Sequence, residues 1–125
     1  MKTPVITNTA PPPAGTYHQG IVTQGKLLFI SGQTPRTPNG TRLGAVPFAE
    51  QATRTLDNLL AVTEAAQYDL KKHAVKVTVY LKNLDDRIEF DAIFAQYVGD
   101  IPPARTIVQS NFVDFDIEVD AILAM

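Results

Sequence analysis

The chain has 125 residues, of which 45% are hydrophobic and 19% charged, and a formal net charge of −2. That size and balance suit one globular domain and exclude a disordered segment. The sequence contains no cysteine, which rules out disulfides, thiolate metal sites and a cysteine nucleophile. No basic cluster marks a nucleic-acid surface.

Residues 1–16 are rich in Pro and Thr and read as an extended arm on a single domain spanning 1–125. The start has no continuous apolar core of a secretory signal, and no apolar run approaches the roughly 20 residues needed to cross a bilayer, so a cytoplasmic protein is expected. "IVTQGKLLFIS" holds two apolar runs about Gln24 and Gly25, a hairpin signal. Gly32 to Pro47 is dense in Gly and Pro and reads as a long surface loop. Ala52, Leu56, Leu59 and Leu60 then fall on one face of a 3.6-residue period, behind Pro47 at the helix start.

In "VKVTVYL" the residues Val75, Val77, Val79 and Leu81 alternate with Lys76, Thr78 and Tyr80, as a strand requires. Asn83 or Asp85 is placed to cap a second helix carrying Phe90, Ile93, Phe94, Tyr97 and Val98, which Pro102 and Pro103 prevent from continuing. Two strands follow, near Arg105–Ser110 and Asp116–Ala124. The order β-β-α-β-α-β-β predicts an α+β fold, a mixed sheet with two helices on one face.

Arg105 is the first polar side chain in the apolar run after the two prolines of "PPARTIVQS", and a buried arginine needs a negative partner. Paired as a hairpin, the last two strands put Val108 under the helices beside Ile117, Val119 and Ala121. Arg105 and Ile107 then share the opposite face with Glu118, Asp120 and Ile122, and that mixed face predicts self-association. Arg105 is either a structural ion pair with Glu118 or Asp120, or a clamp for a ligand carboxylate or phosphate with a glutamate nearby to hold water. "SGQ" at Ser31–Gln33 is turn chemistry or a backbone lining for a ligand. His18 and His73 are too few and too far apart for a metal set, and no phosphate loop or nucleophile elbow is present.

"AGTYHQGI", "LLFISGQTP", "TLDNLLAVTEAA", "VKVTVYLKNLDD", "PPARTIVQS" and "DIEVDAIL" occur in an order that resembles the RidA/YjgF family, from about Ala14 onward. The resemblance implies a chorismate-mutase-like fold and a homotrimer, with sheets lining a central barrel and clefts between subunits. It implies cofactor-free, metal-free hydrolysis of reactive imino and enamino acids to 2-oxo acids and ammonia. Arg105 matches the arginine that clamps the substrate carboxylate, Glu118 the glutamate that positions water, and Tyr17 a tyrosine reaching into the cleft. Ser31 and Gly32 match the segment lining it.

This sequence departs from the pattern at two places. Ile107 replaces a cysteine common in RidA-type members, and Asp91 stands where the family has asparagine; both bear on the shape and charge of the substrate pocket. Two alternatives stay open: a deaminase of a larger enamine such as 2-aminomuconate, or a non-enzymatic binder of small carboxylates or chaperone-like module. No membrane partner is implied.

Overall fold

The computed structural model describes residues 2–125. In chain order it contains β1 (Lys2–Val5), β2 (Gly20–Thr23), β3 (Leu27–Gln33), α1 (Phe48–Ala65), α2 (Leu70–His73), β4 (Ala74–Leu81), a single 3-10 turn (Leu84–Asp86), α3 (Arg87–Val98), β5 (Ala104–Gln109) and β6 (Ile117–Ala124). The architecture is mixed α+β, as the periodicities indicate. β1 falls within the expected arm, whose first residue, Met1, lies outside the described residues. The short helix α2 is unanticipated; the Asp69 side chain caps it by accepting from the Lys72 N–H.

The alternation of β4 is realised in full: Val75, Val77, Val79 and Leu81 are buried while Lys76, Thr78 and Tyr80 are half-exposed. Its buried face continues onto Ile117, Val119, Ala121 and Leu123 of β6. Leu56 and Leu59 of α1 and Phe90, Phe94 and Val98 of α3 cover that face, so one core lies between the sheet and the helices. Asn83 accepts from the Asp85 N–H and caps the 3-10 turn that leads into α3. Gly99 takes φ +70° at the helix end, a conformation that favours glycine, ahead of the two prolines.

Strand pairing differs from the sequence expectation twice. β2 pairs with β1, and β3 joins the main sheet, so the Gln24–Gly25 turn does not close a hairpin. Gly25, at φ +123°, instead lets the chain turn against its own C-terminal end, where Lys26 and Met125 exchange backbone hydrogen bonds of 2.9 and 3.0 Å. The alternation in β3 explains the choice. Ile30 is buried and Leu28 packs on the core, whereas Val22 of β2 is 62% exposed and has no core to face.

The second difference governs the site. The main sheet has the order β3-β6-β4-β5, with β4 and β5 parallel and β6 antiparallel to both β3 and β4. β4, α3 and β5 form a crossover unit, and β6 inserts on the far side of β4, so the last two strands never touch. The register Val77 opposite Arg105 and Val79 opposite Ile107 puts both β5 residues under the helices. Val108, opposite Tyr80, faces outward and is 42% exposed. Glu118 and Asp120 pair with Tyr80 and Thr78 on the outward face, as expected. Arg105 and Glu118 therefore occupy opposite faces of one sheet. The outward face also carries Phe29, 67% exposed, opposite Ile122.

Candidate active site

Arg105 is held where β5 meets α3. Its side chain is 5% exposed, and its guanidinium carbon lies 5.0 Å from the Tyr17 ring centre and 5.2 and 5.8 Å from those of Phe94 and Phe90. Such faces favour a cation, but they do not supply the negative charge that burial demands. Asp91 supplies it. Nη1 of Arg105 donates to Asp91 Oδ1 at 2.7 Å. The structural partner is thus Asp91 on α3, and not Glu118 or Asp120, which the sheet separates from Arg105.

Asp91 also fastens the N-terminal segment. Its Oδ1 accepts from the Thr16 N–H and its Oδ2 from the Thr16 hydroxyl, both at 2.8 Å. Burial pushes this carboxyl up, but the three hydrogen bonds and the charge of Arg105 outweigh burial and hold it below the usual carboxylate range. Gly15 makes the close approach possible, because a Cβ there would stand 2.8 Å from Asp91 Oδ1 and 3.0 Å from Arg105 Nη2. The segment folds back on itself as well, the Ala14 N–H donating to the Tyr17 hydroxyl at 2.9 Å.

Beside this cluster opens a cleft of about 680 Å³, bounded by Tyr17, Arg87, Ile88, Asp91, Arg105 and Ile107. Among the described residues, both hydrogen bonds from the Arg105 guanidinium leave through Nη1, to Asp91 and, at 3.4 Å, to the Thr16 carbonyl. Nε and Nη2, the latter packed close to Gly15, carry no hydrogen bond among the described residues, and unbonded guanidinium N–H groups suit a planar anion such as a carboxylate. Four of the sequence-singled residues, Tyr17, Asp91, Arg105 and Ile107, meet here.

The other three form a second cluster. Ser31 and Gly32 are exposed at the end of β3, and Gly32 lies so close to Glu118 that a Cβ would overlap its carboxylate. Nearby, the charge of Asp120 leads in raising the Tyr80 hydroxyl, followed by desolvation, the 3.2 Å hydrogen bond to Asp120 and the charge of Glu118. The sequence-singled residues thus fall into two clusters, one around the Arg105–Asp91 pair under α3 and one around Glu118 on the outward face.

The histidines belong to neither cluster. His18 Nδ1 bonds the Pro102 carbonyl at 2.8 Å and helps align the start of β5, while His73 Nδ1 accepts from the Asp69 N–H at 2.9 Å. Among the described residues no group of three His, Cys, Asp or Glu side chains could hold a metal ion, and no helix is long and apolar enough to cross a membrane. Sequence reasoning missed Thr16 and Gly15, whose contact with Asp91 spans 75 positions for Thr16, and missed Arg87. "AGTY" offered only a small residue beside a short hydroxyl, the pair that a close backbone approach requires.

A family model described as Endoribonuclease L-PSP matches residues 7–125. A RutC family protein of Pyrococcus horikoshii is 38% identical over 124 residues, covering 98% of this chain and 97% of that protein. The 2-iminobutanoate/2-iminopropanoate deaminase of Escherichia coli is 35% identical over 130 residues, covering 98% and 97%. A Yersinia pestis protein of the conserved Rid family, of unknown function, superposes with a TM-score of 0.87 over 99% of this chain and 98% of its own, at 22% identity, a likeness of fold.

Proposed function

This chain belongs to the endoribonuclease L-PSP family, the family of RidA and YjgF, and we propose that it is a cytoplasmic deaminase that hydrolyses reactive 2-imino and 2-enamino acids to 2-oxo acids and ammonia. The observation that carries this reading is the nearly buried Arg105, with N–H groups left unbonded, lining a cleft beside Tyr17. A guanidinium edge takes the carboxylate in a bidentate, charge-assisted pair and fixes the adjacent C2 against Ile107 and the Tyr17 ring. Water then adds to C2 of the imine. Glu118 takes one proton from that water and returns it to the nitrogen, the carbinolamine hydroxyl gives its own proton to the same nitrogen, and the C2–N bond breaks to release ammonia and leave the 2-oxo acid. Water is the only co-reactant that the stoichiometry needs.

Because Arg105 and Glu118 lie on opposite faces of the sheet, one chain does not supply both to one substrate. The working unit is a homotrimer in which the outward faces meet. Phe29, Val108 and Ile122 lose their exposure there, and Ser31, Gly32 and Glu118 of one copy complete the Arg105 cleft of the next.

The test is competitive trapping. An amino-acid oxidase generates short imino acids while semicarbazide captures them, and hydrolysis appears as lost semicarbazone signal. Wild type should suppress the signal, and Arg105→Ala and Glu118→Gln should not, with sedimentation confirming that both variants keep the wild-type assembly. Mixing the two variants under conditions of subunit exchange should restore activity, since mixed trimers contain a site with both residues intact. Failure of wild type to compete for any imine would refute the deaminase; absence of restoration on mixing would refute the shared site.

A further inference from the structure

The strand end beside Glu118 is irregular, and its backbone needs a hold from outside the sheet. Ile30 pairs with Ala121 and Gln33 with Val119, so Ser31 and Gly32 together stand opposite Asp120 alone, a bulge of one extra residue in β3. A bulge interrupts the ladder that would otherwise fix the chain. The place of Gly32 is nevertheless set tightly, because its backbone lies against the Glu118 carboxylate with no room for a side chain between them. On the N-terminal side the buried Ile30 anchors the bulge in the core.

On the C-terminal side the anchor is Asn58 of α1. Its Nδ2 donates to the Thr34 carbonyl at 3.2 Å and to the Arg36 carbonyl at 2.8 Å, one N–H for each. Its Oδ1 accepts from Arg54 Nε at 3.1 Å, a contact along the same helix that orients the amide with its donors toward the chain after β3. One amide reaches both carbonyls because the chain turns there, the Arg36 N–H donating to the Thr34 carbonyl at 2.7 Å. Asn58 and Gly32 line one cavity of about 440 Å³. The neighbours of Asn58 on α1, Leu56 and Leu59, are buried in the core, so its grip refers the turn to the rigid part of the fold. The other side chain on this turn, Arg42, reaches the Thr34 hydroxyl at 2.8 Å from a loop.

We propose that Asn58 is a positioning residue for the reaction: by gripping the chain just after β3 it holds the Ser31–Gly32 bulge against Glu118 and so places that carboxylate for water. This rests on the deaminase reading and the shared site, and adds a residue to the Glu118 side of it. Asn58 touches no reacting atom and acts through Gly32. Two N–H donors in one plane are what a carboxamide offers and a carboxylate lacks. Asn58→Asp therefore keeps the volume of the side chain and removes its function.

Asn58→Ala and Asn58→Asp test this in the semicarbazide assay. Both should lower kcat about tenfold, below the roughly hundredfold that a misplacement of ~1 Å brings. KM, and the calorimetric Kd for 2-oxobutanoate, should stay within about twofold of wild type, because Arg105 belongs to the other cluster. Subunit exchange then reads which side is damaged. Asn58→Ala mixed with Arg105→Ala should rise well above the mean of the two measured apart, and Asn58→Ala mixed with Glu118→Gln should not. A general loss of fold would spoil both sides of the site and restore neither mixture. Retained kcat in Asn58→Ala overturns the proposal, as does full activity in Asn58→Asp or a Kd that rises as far as kcat falls. So does the absence of any gain on mixing with Arg105→Ala when Arg105→Ala and Glu118→Gln restore each other. Wild type without imine hydrolysis removes the deaminase reading, and no restoration between Arg105→Ala and Glu118→Gln removes the shared site; either result takes this role with it and is seen without any Asn58 variant.

Discussion

Replacing Asp91 by asparagine should make the protein less stable and its cleft a stronger binder of anions. The amide oxygen of the variant would still accept from the Thr16 N–H and from Arg105, and its NH₂ would donate to the Thr16 hydroxyl. The geometry of the latch is retained while its charge assistance is lost. Exchanging charged for neutral hydrogen bonds costs about 1–2 kcal/mol, seen as a fall in Tm of roughly 3–8 °C. Binding moves the other way. A ligand carboxylate on the unbonded N–H groups of Arg105 lies ~6 Å from the Asp91 charge, a repulsion of about 3 kcal/mol at an effective dielectric constant of 20. The Asp91 side chain is 27% exposed, and solvent reduces that figure. A remainder of about 1–2 kcal/mol tightens 2-oxobutanoate roughly five- to thirtyfold in Asp91→Asn. Differential scanning calorimetry and isothermal titration on the same samples give both numbers. A variant that loses stability without gaining affinity would show that Asp91 does not oppose the ligand, and would refute the electrostatic reading of the cleft.

Three further outcomes are expected. Gly32→Ala should displace the Glu118 carboxylate and cut imine hydrolysis at least about tenfold, with less than ~1 kcal/mol lost in stability because a flexible side chain yields; an unchanged kcat would show that Glu118 has no need of its present position. Gln51 is fully buried, donates to the Gly44 and Val46 carbonyls and to Asp116, and accepts from the Asp116 N–H at 2.9 Å. Gln51→Leu strands those groups and should cost about 2–4 kcal/mol in urea melts while leaving the Kd of folded protein for 2-oxo acids unchanged. Asp91, held below its ordinary 3.8, stabilises the fold at pH values above that figure and loses the contribution as pH falls through its folded value. The stability gap between wild type and Asp91→Asn should accordingly be flat from neutrality to about pH 5 and close under more acid conditions.

Periodicity made the helices and β4 legible, because both express contacts repeated at every turn or pleat. Glu118 was assigned to the outward face for the same reason: β6 alternates from Ile117 to Leu123 and leaves one choice. Arg105 was assigned to the wrong face because β5 has only Ile107 and Val108 to choose between, and the choice depends on which strand it pairs with. Partner choice is nonlocal. The crossover through α3 fixes β5 beside β4 in parallel, and a hairpin assumption inverts every side chain. Asp91 was visible as a departure from the family pattern, but its bond to Arg105 depends on where α3 packs over the sheet. Thr16 and Gly15 lie in a segment with no period, so only the fold reveals that they meet α3.

A strand at the centre of the main sheet is also the last of the described elements in chain order. β6 lies between β3 and β4, and until it has left the ribosome β3 has no partner in that sheet. The nascent chain must carry the β4–β5 pair and an isolated, partly apolar β3 through most of its synthesis, exposing strand edges that invite aggregation. Loss of Ile117–Ala124 through a premature stop would remove the middle of the sheet, while loss of as many residues from the arm would leave it paired.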